Sequence, residues 1–280
     1  MSQTLQSEDP MEDKLTTFVA EQYNAFQSMM ERRDKERKYL NYGFKEGRGQ
    51  TYEDRQERLC REVFDGARIK KEDVLADVGF GSGEQDFYLA RNYEFGTLHG
   101  FNIASKQVEF ANHRAAKEGL APKMVFHHFP AERMEPLKDR SVDKVLSVEC
   151  AFYFDRPVFY KEAHRVLKPG GLLVLADISF SGAISFITRW TQDMRRVGTL
   201  PGNRRSWAPY FDTERVTSIN AQTRSGVQNT VFQCLKYMRI SHSWVENRTL
   251  LSMAFYSQIT ALGLLTRLIR YDLIVLKRKS

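Results

Sequence analysis

The stretch Asp77-Val78-Gly79-Phe80-Gly81-Ser82-Gly83 constrains this chain more than any other. It ends an apolar, β-branched run, Val74 to Val78, and passes directly into a helical pattern from about Gln85 to Tyr93. A strand that turns through glycines into a helix is the local unit from which parallel sheets build a nucleotide-type pocket, because a backbone without Cβ atoms can approach a ligand closely. The dinucleotide fingerprint G-x-G-x-x-G is not completed: counted from Gly79, its last glycine position is Glu84. Asp77, Glu84 and Asp86 instead surround the loop with carboxylates, which repel a pyrophosphate at a helix N-terminus and attract a cation. This charge arrangement selects S-adenosylmethionine, which carries a sulfonium and an ammonium and no phosphate, over NAD or ATP.

The pattern around the loop predicts the fold. Apolar runs at 74–78, 97–103, 124–129, 142–148 and 171–178 alternate with helical patterns at 85–93, 106–118 and 158–167. Such alternation implies right-handed crossovers and a mostly parallel sheet. Lys168-Pro169-Gly170-Gly171 marks a sharp helix-to-strand stop. Residues 1–12 read as a disordered tail, and Leu15, Phe18, Val19, Tyr23 and Phe26 give 13–40 a helical period, with a second helix at 51–64. Beyond Ile178 the alternation stops. A strand is expected at 233–245, a helix at 248–265 and a final strand at 271–276. The predicted fold class is α/β, a Rossmann-like, mostly parallel seven-stranded sheet with helices on both faces. Its predicted parts are an N-terminal helical lid over 13–70, a cofactor-binding core over 71–180, a cap insertion after the fifth strand over 181–230, and the remainder of the core over 231–280.

Composition narrows the class. With 42% hydrophobic residues in 280, the chain can bury one large core. Its longest apolar runs fall short of the roughly 20 residues of a membrane span, and the polar start lacks the apolar segment of a secretory leader. Cys60, Cys150 and Cys234 form no closely spaced pair, so neither a disulfide framework nor a metal cluster is expected, and a reducing cytoplasm fits. The net charge of +7 favours acidic partners, but no nucleic-acid-binding motif accompanies it.

From about Tyr39 to Ile178 the chain resembles the class I methyltransferase superfamily, in the branch of sterol, cyclopropane-fatty-acid, tocopherol and natural-product sugar O-methyltransferases. The glycine loop matches its first motif, and Gly100-Phe101-Asn102-Ile103-Ala104-Ser105-Lys106-Gln107 is similar to its second-strand motif. Ser141 to Phe154, including Glu149, matches its fourth strand and the substrate-facing segment after it, and Arg165-Val166-Leu167-Lys168-Pro169-Gly170-Gly171 matches its later helix and turn. The resemblance implies that Gly79, Gly81 and Gly83 admit the cofactor and that Asp77 contacts its amino-acid portion. It further implies that Asn102 and Gln107 serve the ribose, that Glu132 meets the adenine amine, and that Glu149 belongs to the cofactor site. Asn41-Tyr42-Gly43-Phe44 resembles the family's lid over the methionine end, with Tyr42 or Tyr39 supplying a hydroxyl that Phe44 lacks.

Methyl transfer is an in-line displacement, so alignment comes first and proton removal second. Relatives that methylate oxygen commonly carry a histidine where this chain has Tyr153, the catalytic candidate. A phenol with pKa about 10 is a weak base at neutral pH unless its surroundings lower that value. His127, His128, His164 and His242 are alternatives. Phe152, Trp190, Trp207 and Tyr210 are expected to wall the substrate pocket beside Tyr153, a lining that also suits a cationic acceptor or transition state. Arg189, Arg195, Arg196, Arg204 and Arg205 could bind an anionic acceptor or lipid headgroups. The expected activity is methyl transfer to a small lipophilic or natural-product acceptor, oxygen ahead of carbon or nitrogen, with a non-catalytic cofactor-binding scaffold as the competing reading. A monomer or homodimer with no bound metal and room for peripheral membrane contact completes the expectation.

Overall fold

A computed structural model describes residues 10–33, 39–188, 196–240 and 244–280. Its centre is one seven-stranded sheet in the order β3-β2-β1-β4-β5-β7-β6. The strands are β1 (Val74–Val78), β2 (Thr97–Phe101), β3 (Met124–His127), β4 (Val142–Val148), β5 (Leu167–Phe180), β6 (Phe211–Ser218) and β7 (Ile269–Arg278). The first five pair in parallel, β7 runs antiparallel to β5, and β6 runs antiparallel to β7. Chain order therefore reverses direction across the sheet at the β1–β4 neighbours, which opens a crevice at their carboxyl ends.

Helices α1 (Pro10–Arg33), α2 (Tyr52–Ala67), α3 (Glu84–Asn92), α4 (Ser105–Lys117) and α5 (Arg156–Val166) precede β5. Thr51 caps α2 reciprocally with Asp54, and the helix then buries Leu59, Val63 and Phe64 on the sheet. The opposite sheet face is covered by Phe159, Tyr160 and Trp207. The long first helix begins at Pro10, inside the stretch expected to be a tail; proline, lacking an N–H, suits a first helical turn.

Past β5 the architecture departs from expectation. Residues expected to form only a cap contain α6 (Gly182–Thr188), α7 (Leu200–Trp207) and the sheet's edge strand β6. The strand expected at 233–245 does not form: α8 (Asn220–Ile240) and α9 (Trp244–Thr266) occupy its described residues. Val227, Val231 and Cys234 are buried at helical spacing, so this part of the chain packs as a helix. The larger helical excursion thus lies between β6 and β7. It forms its own cluster, in which Phe26 of α1 meets Val231, Cys234, Leu250 and Ala254. The Lys168-Pro169-Gly170-Gly171 stop is absorbed into the irregular start of β5, where the pairing with β4 shifts register.

Candidate active site

A cleft of about 970 Å³, its open mouth included, lies at the carboxyl ends of β1, β2 and β4. Gly79, Gly81, Asn102, Gln107, Glu132, Glu149 and Tyr153 line it together with residues of α1. Gly79 has φ +71°, and a Cβ there would meet the Cys150 side chain at 2.6 Å. Glycine is thus required both by conformation and by space. Gly83 serves differently: it opens α3 and fits against Phe87 and Ala111, outside the cleft lining.

Asn102 is fully engaged within the protein. Its Nδ2 donates to Gln107 Oε1 at 2.9 Å and its Oδ1 accepts from the Ala104 N–H at 3.1 Å. This grip fixes Gln107 against the cleft and leaves Gln107 Nε2 buried without a protein partner. Asp77 lies fully buried just beneath the loop; Gln85 donates to one of its oxygens, and the neighbouring Asp86 is hydrogen-bonded to the same carboxyl. A buried polar atom without a partner, as Gln107 Nε2 is, is costly and points to a ligand that satisfies it.

The three acids of the loop do not act alike. Glu84 is paired with Arg91 at 2.8 Å and with Arg114, so its charge is compensated. Asp86 is buried beside Asp77, and burial followed by the Asp77 charge pushes its carboxyl far up. Asp86 therefore keeps its proton, whereas burial raises Asp77 only to about 6. The fence of three carboxylates read from the sequence reduces near neutral pH to one uncompensated negative charge, that of Asp77. The sign still favours a cation over a phosphate.

Glu149 ends β4 with φ +55° and ties three elements together. Its Oε1 accepts the backbone N–H of Tyr42 at 2.8 Å and the hydroxyl of Tyr271 on β7. Burial pushes its carboxyl up to about 8 despite those hydrogen bonds. Tyr42 stands behind the cleft wall, not in it; a Cβ on Gly226 of α8 would collide with the Tyr42 carbonyl, so the lid segment and α8 are in direct backbone contact. Glu132 accepts the N–H of Asp155, the cap of α5, at 2.7 Å, and burial raises its carboxyl.

Tyr153 faces the cleft and accepts a hydrogen bond from Tyr23 of α1 at 3.1 Å, the rings meeting edge to face. Burial raises the Tyr153 phenol above its ordinary value, so it stays protonated at neutral pH. That argues against the base role expected of it and leaves a wall and hydrogen-bonding role. Phe152 packs behind the Tyr153 ring, and Phe154 takes the lining position. Trp207 is not a pocket wall: it is wholly buried on the other sheet face, donating to Thr213 at 3.0 Å and meeting Tyr160 edge-on. Tyr210 likewise packs on His164, away from the cleft, because α7 and the turn after it carry the two rings to the α5 side. Trp190, Arg189, Arg195 and His242 lie outside the described residues.

No histidine lines the cleft among the described residues. His99 and His127 pair at 3.0 Å on neighbouring strands, His128 contacts the Ile103 carbonyl, and His164 backs Tyr210. Residues not assigned to the site from sequence do line it, Thr16, Val19 and Tyr23 of α1 and Gln85, and so does Arg196, one of the arginines expected to meet an anionic acceptor. Arg196 Nη1 donates to the Tyr153 carbonyl at 2.6 Å. Tyr23 was visible only as one apolar position of a periodic helix, with nothing to show what that helix covers.

Residues 76–175 match a family described as a methyltransferase domain. Erythromycin 3''-O-methyltransferase of Saccharopolyspora erythraea is 31% identical over 141 residues, 50% of this chain and 46% of that protein. The 27-O-demethylrifamycin SV methyltransferase of Amycolatopsis mediterranei is 30% identical over 182 residues, 64% of this chain and 65% of that protein. The chain thus spans about half to two-thirds of these relatives. Among solved structures, the [4+2]-cyclase SpnF superposes with a TM-score of 0.77 at 19% identity, covering 92% of this chain and 94% of that one.

Proposed function

We propose that this chain, whose residues 76–175 match a methyltransferase domain, is an S-adenosylmethionine-dependent methyltransferase of the class I type that methylates a small lipophilic or natural-product acceptor, at oxygen ahead of carbon or nitrogen. The fold alone does not carry this, since a cyclase shares it. What carries it is a glycine-floored cleft lined by the unpartnered donor Gln107 Nε2, with the buried Asp77 carboxylate beneath the glycine loop.

When bound, S-adenosylmethionine supplies an electrophilic methyl group on a sulfonium. Gly79 and Gly81 let the backbone approach it, Asp77 sets the negative potential that favours its cationic portion, and Gln107 offers a hydrogen-bond donor. Tyr23, Tyr153 and Phe154 form the wall facing the acceptor, and their packing excludes water from it. With Tyr153 protonated and no histidine in the described lining, the best acceptor is one that ionises by itself: a carboxylic acid, phenol or enol. Arg196 gives the cleft a positive charge suited to such an anion.

The aromatic wall favours a second reading, methylation of an amine or of an alkene carbon through a cation. Both are tested by supplying labelled cofactor with panels of carboxylic acids, phenols, amines and polyenes. Label in an acid or phenol supports oxygen transfer, and label confined to amines or polyenes moves the assignment to the second reading. Calorimetry that detects no S-adenosylmethionine binding removes both.

A further inference from the structure

The hairpin of α8 and α9 has two apolar faces and a use inside the protein for only one. Leu250, Ala254, Ser257, Ala261 and Leu264 of α9 are buried at alternating steps of four and three, the seam that packs inward. A second stripe, turned by about a third of the helix circumference, consists of Trp244, Leu251, Phe255, Ile259, Leu262 and Leu265. All six are exposed; Trp244 reaches 73%, Phe255 62% and Leu262 61%. On α8, Phe232 is 71% exposed. Contiguous exposed apolar surface along a helix of about 34 Å marks an interaction face on a folded protein.

Charge identifies the occupant. Residues 220–268 carry five bases, Arg224, Lys236, Arg239, Arg248 and Arg267, against one acid, Glu246. All five bases are exposed. The Arg248 guanidinium sits 5.6 Å from the centre of the Trp244 ring at one end of the stripe, and Arg267 follows its other end. Two copies of this face brought together would set five bases against five, whereas an anionic bilayer pairs with all of them. Apolar and aromatic side chains flanked by arginine and lysine are also what a helix needs to lie in a lipid interface. No helix of the described residues is long and apolar enough to cross the membrane, so contact from one side is the geometry available.

We infer that the outer face of the α8–α9 hairpin docks on anionic lipid membranes. The inner face of the same hairpin packs on Phe26 of α1, the helix whose Thr16, Val19 and Tyr23 line the cleft. Docking therefore holds the hairpin between the bilayer and the cleft's helical roof, keeping the cleft close to a membrane in which a lipophilic acceptor is concentrated. The docking claim goes beyond the proposed methyl transfer and does not depend on it, because its test needs neither cofactor nor turnover.

The full chain is sedimented with phosphatidylcholine vesicles, with and without phosphatidylserine. It is expected to partition onto the phosphatidylserine vesicles and to be released by salt. Phe255→Glu combined with Leu262→Glu, and separately Arg248→Glu combined with Arg267→Glu, are each expected to lower that partitioning at least roughly tenfold. Thermal unfolding is measured alongside; should the apolar pair fail to fold, the arginine pair decides alone. Equal partitioning onto neutral and anionic vesicles, or none, overturns the inference. So does a dimer seen by light scattering that the apolar pair splits, since the stripe then belongs to a second copy.

Discussion

Glu149, at the end of β4, accepts the backbone N–H of Tyr42 at 2.8 Å across 107 residues of sequence. The same oxygen holds Tyr271, so one side chain joins the lid segment, the cleft and the antiparallel strand β7. Burial raises this carboxyl from the ordinary glutamate range to about 8. The folded state then binds more protons than the unfolded chain between those two values, and stability falls as pH rises through that window. Glu149→Gln keeps an acceptor oxygen without the ionisation. Its melting temperature is expected to change less between pH 5 and 8 than that of the parent, roughly following the removal of one titrating group. Glu149→Ala, which leaves the Tyr42 N–H unpaired, is expected to cost about 1–3 kcal/mol. Melting curves across pH check both; parallel pH profiles for parent and Glu149→Gln would count against the shifted carboxyl.

Asp77 and Asp86 make a sharper contrast. Asp86 holds its proton, so Asp86→Asn replaces a donor with a donor and is expected to alter S-adenosylmethionine affinity by no more than about threefold. Asp77→Asn removes the uncompensated charge and is expected to weaken binding roughly ten- to a hundredfold. Because Asp77 titrates near 6, parent affinity is expected to rise with pH through that value and the Asp77→Asn profile to flatten there. Calorimetry at several pH values measures all three, and equal losses in the two variants would rule out the assigned protonation.

The parallel half of the sheet and the glycine loop were legible because their signals are local. Val74 to Val78 is a strand, Gly79 and Gly81 line the cleft, and Asn102 and Gln107 both reach it. The failures are all relational. Strand β6 pairs only with β7, and of its residues only Phe211 is buried, so no apolar alternation announced it. Trp207 and Tyr210 looked like pocket walls because they are large rings in a presumed cap; which sheet face α7 would cover was not written in their spacing. Glu84 counted as a loop charge until Arg114, thirty residues on, was seen beside it.

Gly226 offers a test of the lid by the sign of an effect. Within a helix, glycine to alanine ordinarily stabilises by about 0.5–1 kcal/mol. At Gly226 a Cβ would collide with the Tyr42 carbonyl oxygen, so Gly226→Ala must displace the lid from α8. The variant is expected to lose about 1–3 kcal/mol in denaturant unfolding and to bind S-adenosylmethionine more weakly. Gly47→Ala, with open space around the added carbon, serves as the control and is expected to be near neutral. A stabilised Gly226→Ala protein would mean that the close approach of lid and helix is wrong.

The protonation of Tyr153 decides what the cleft asks of its acceptor. A tyrosine acting as general base contributes about a hundredfold or more to turnover, and its replacement by phenylalanine removes that. Here burial holds the phenol protonated, and Tyr23 already donates to its oxygen. Tyr153→Phe is therefore expected to retain turnover within about fivefold while losing about 1 kcal/mol of stability from the broken pair. Tyr23→Phe should cost a similar amount, and the double variant little more than either single one, because both act through one hydrogen bond. If instead Tyr153→Phe abolishes methyl transfer with its fold and cofactor affinity intact, the hydroxyl itself takes part in the reaction, and acceptors that cannot ionise alone return as substrates.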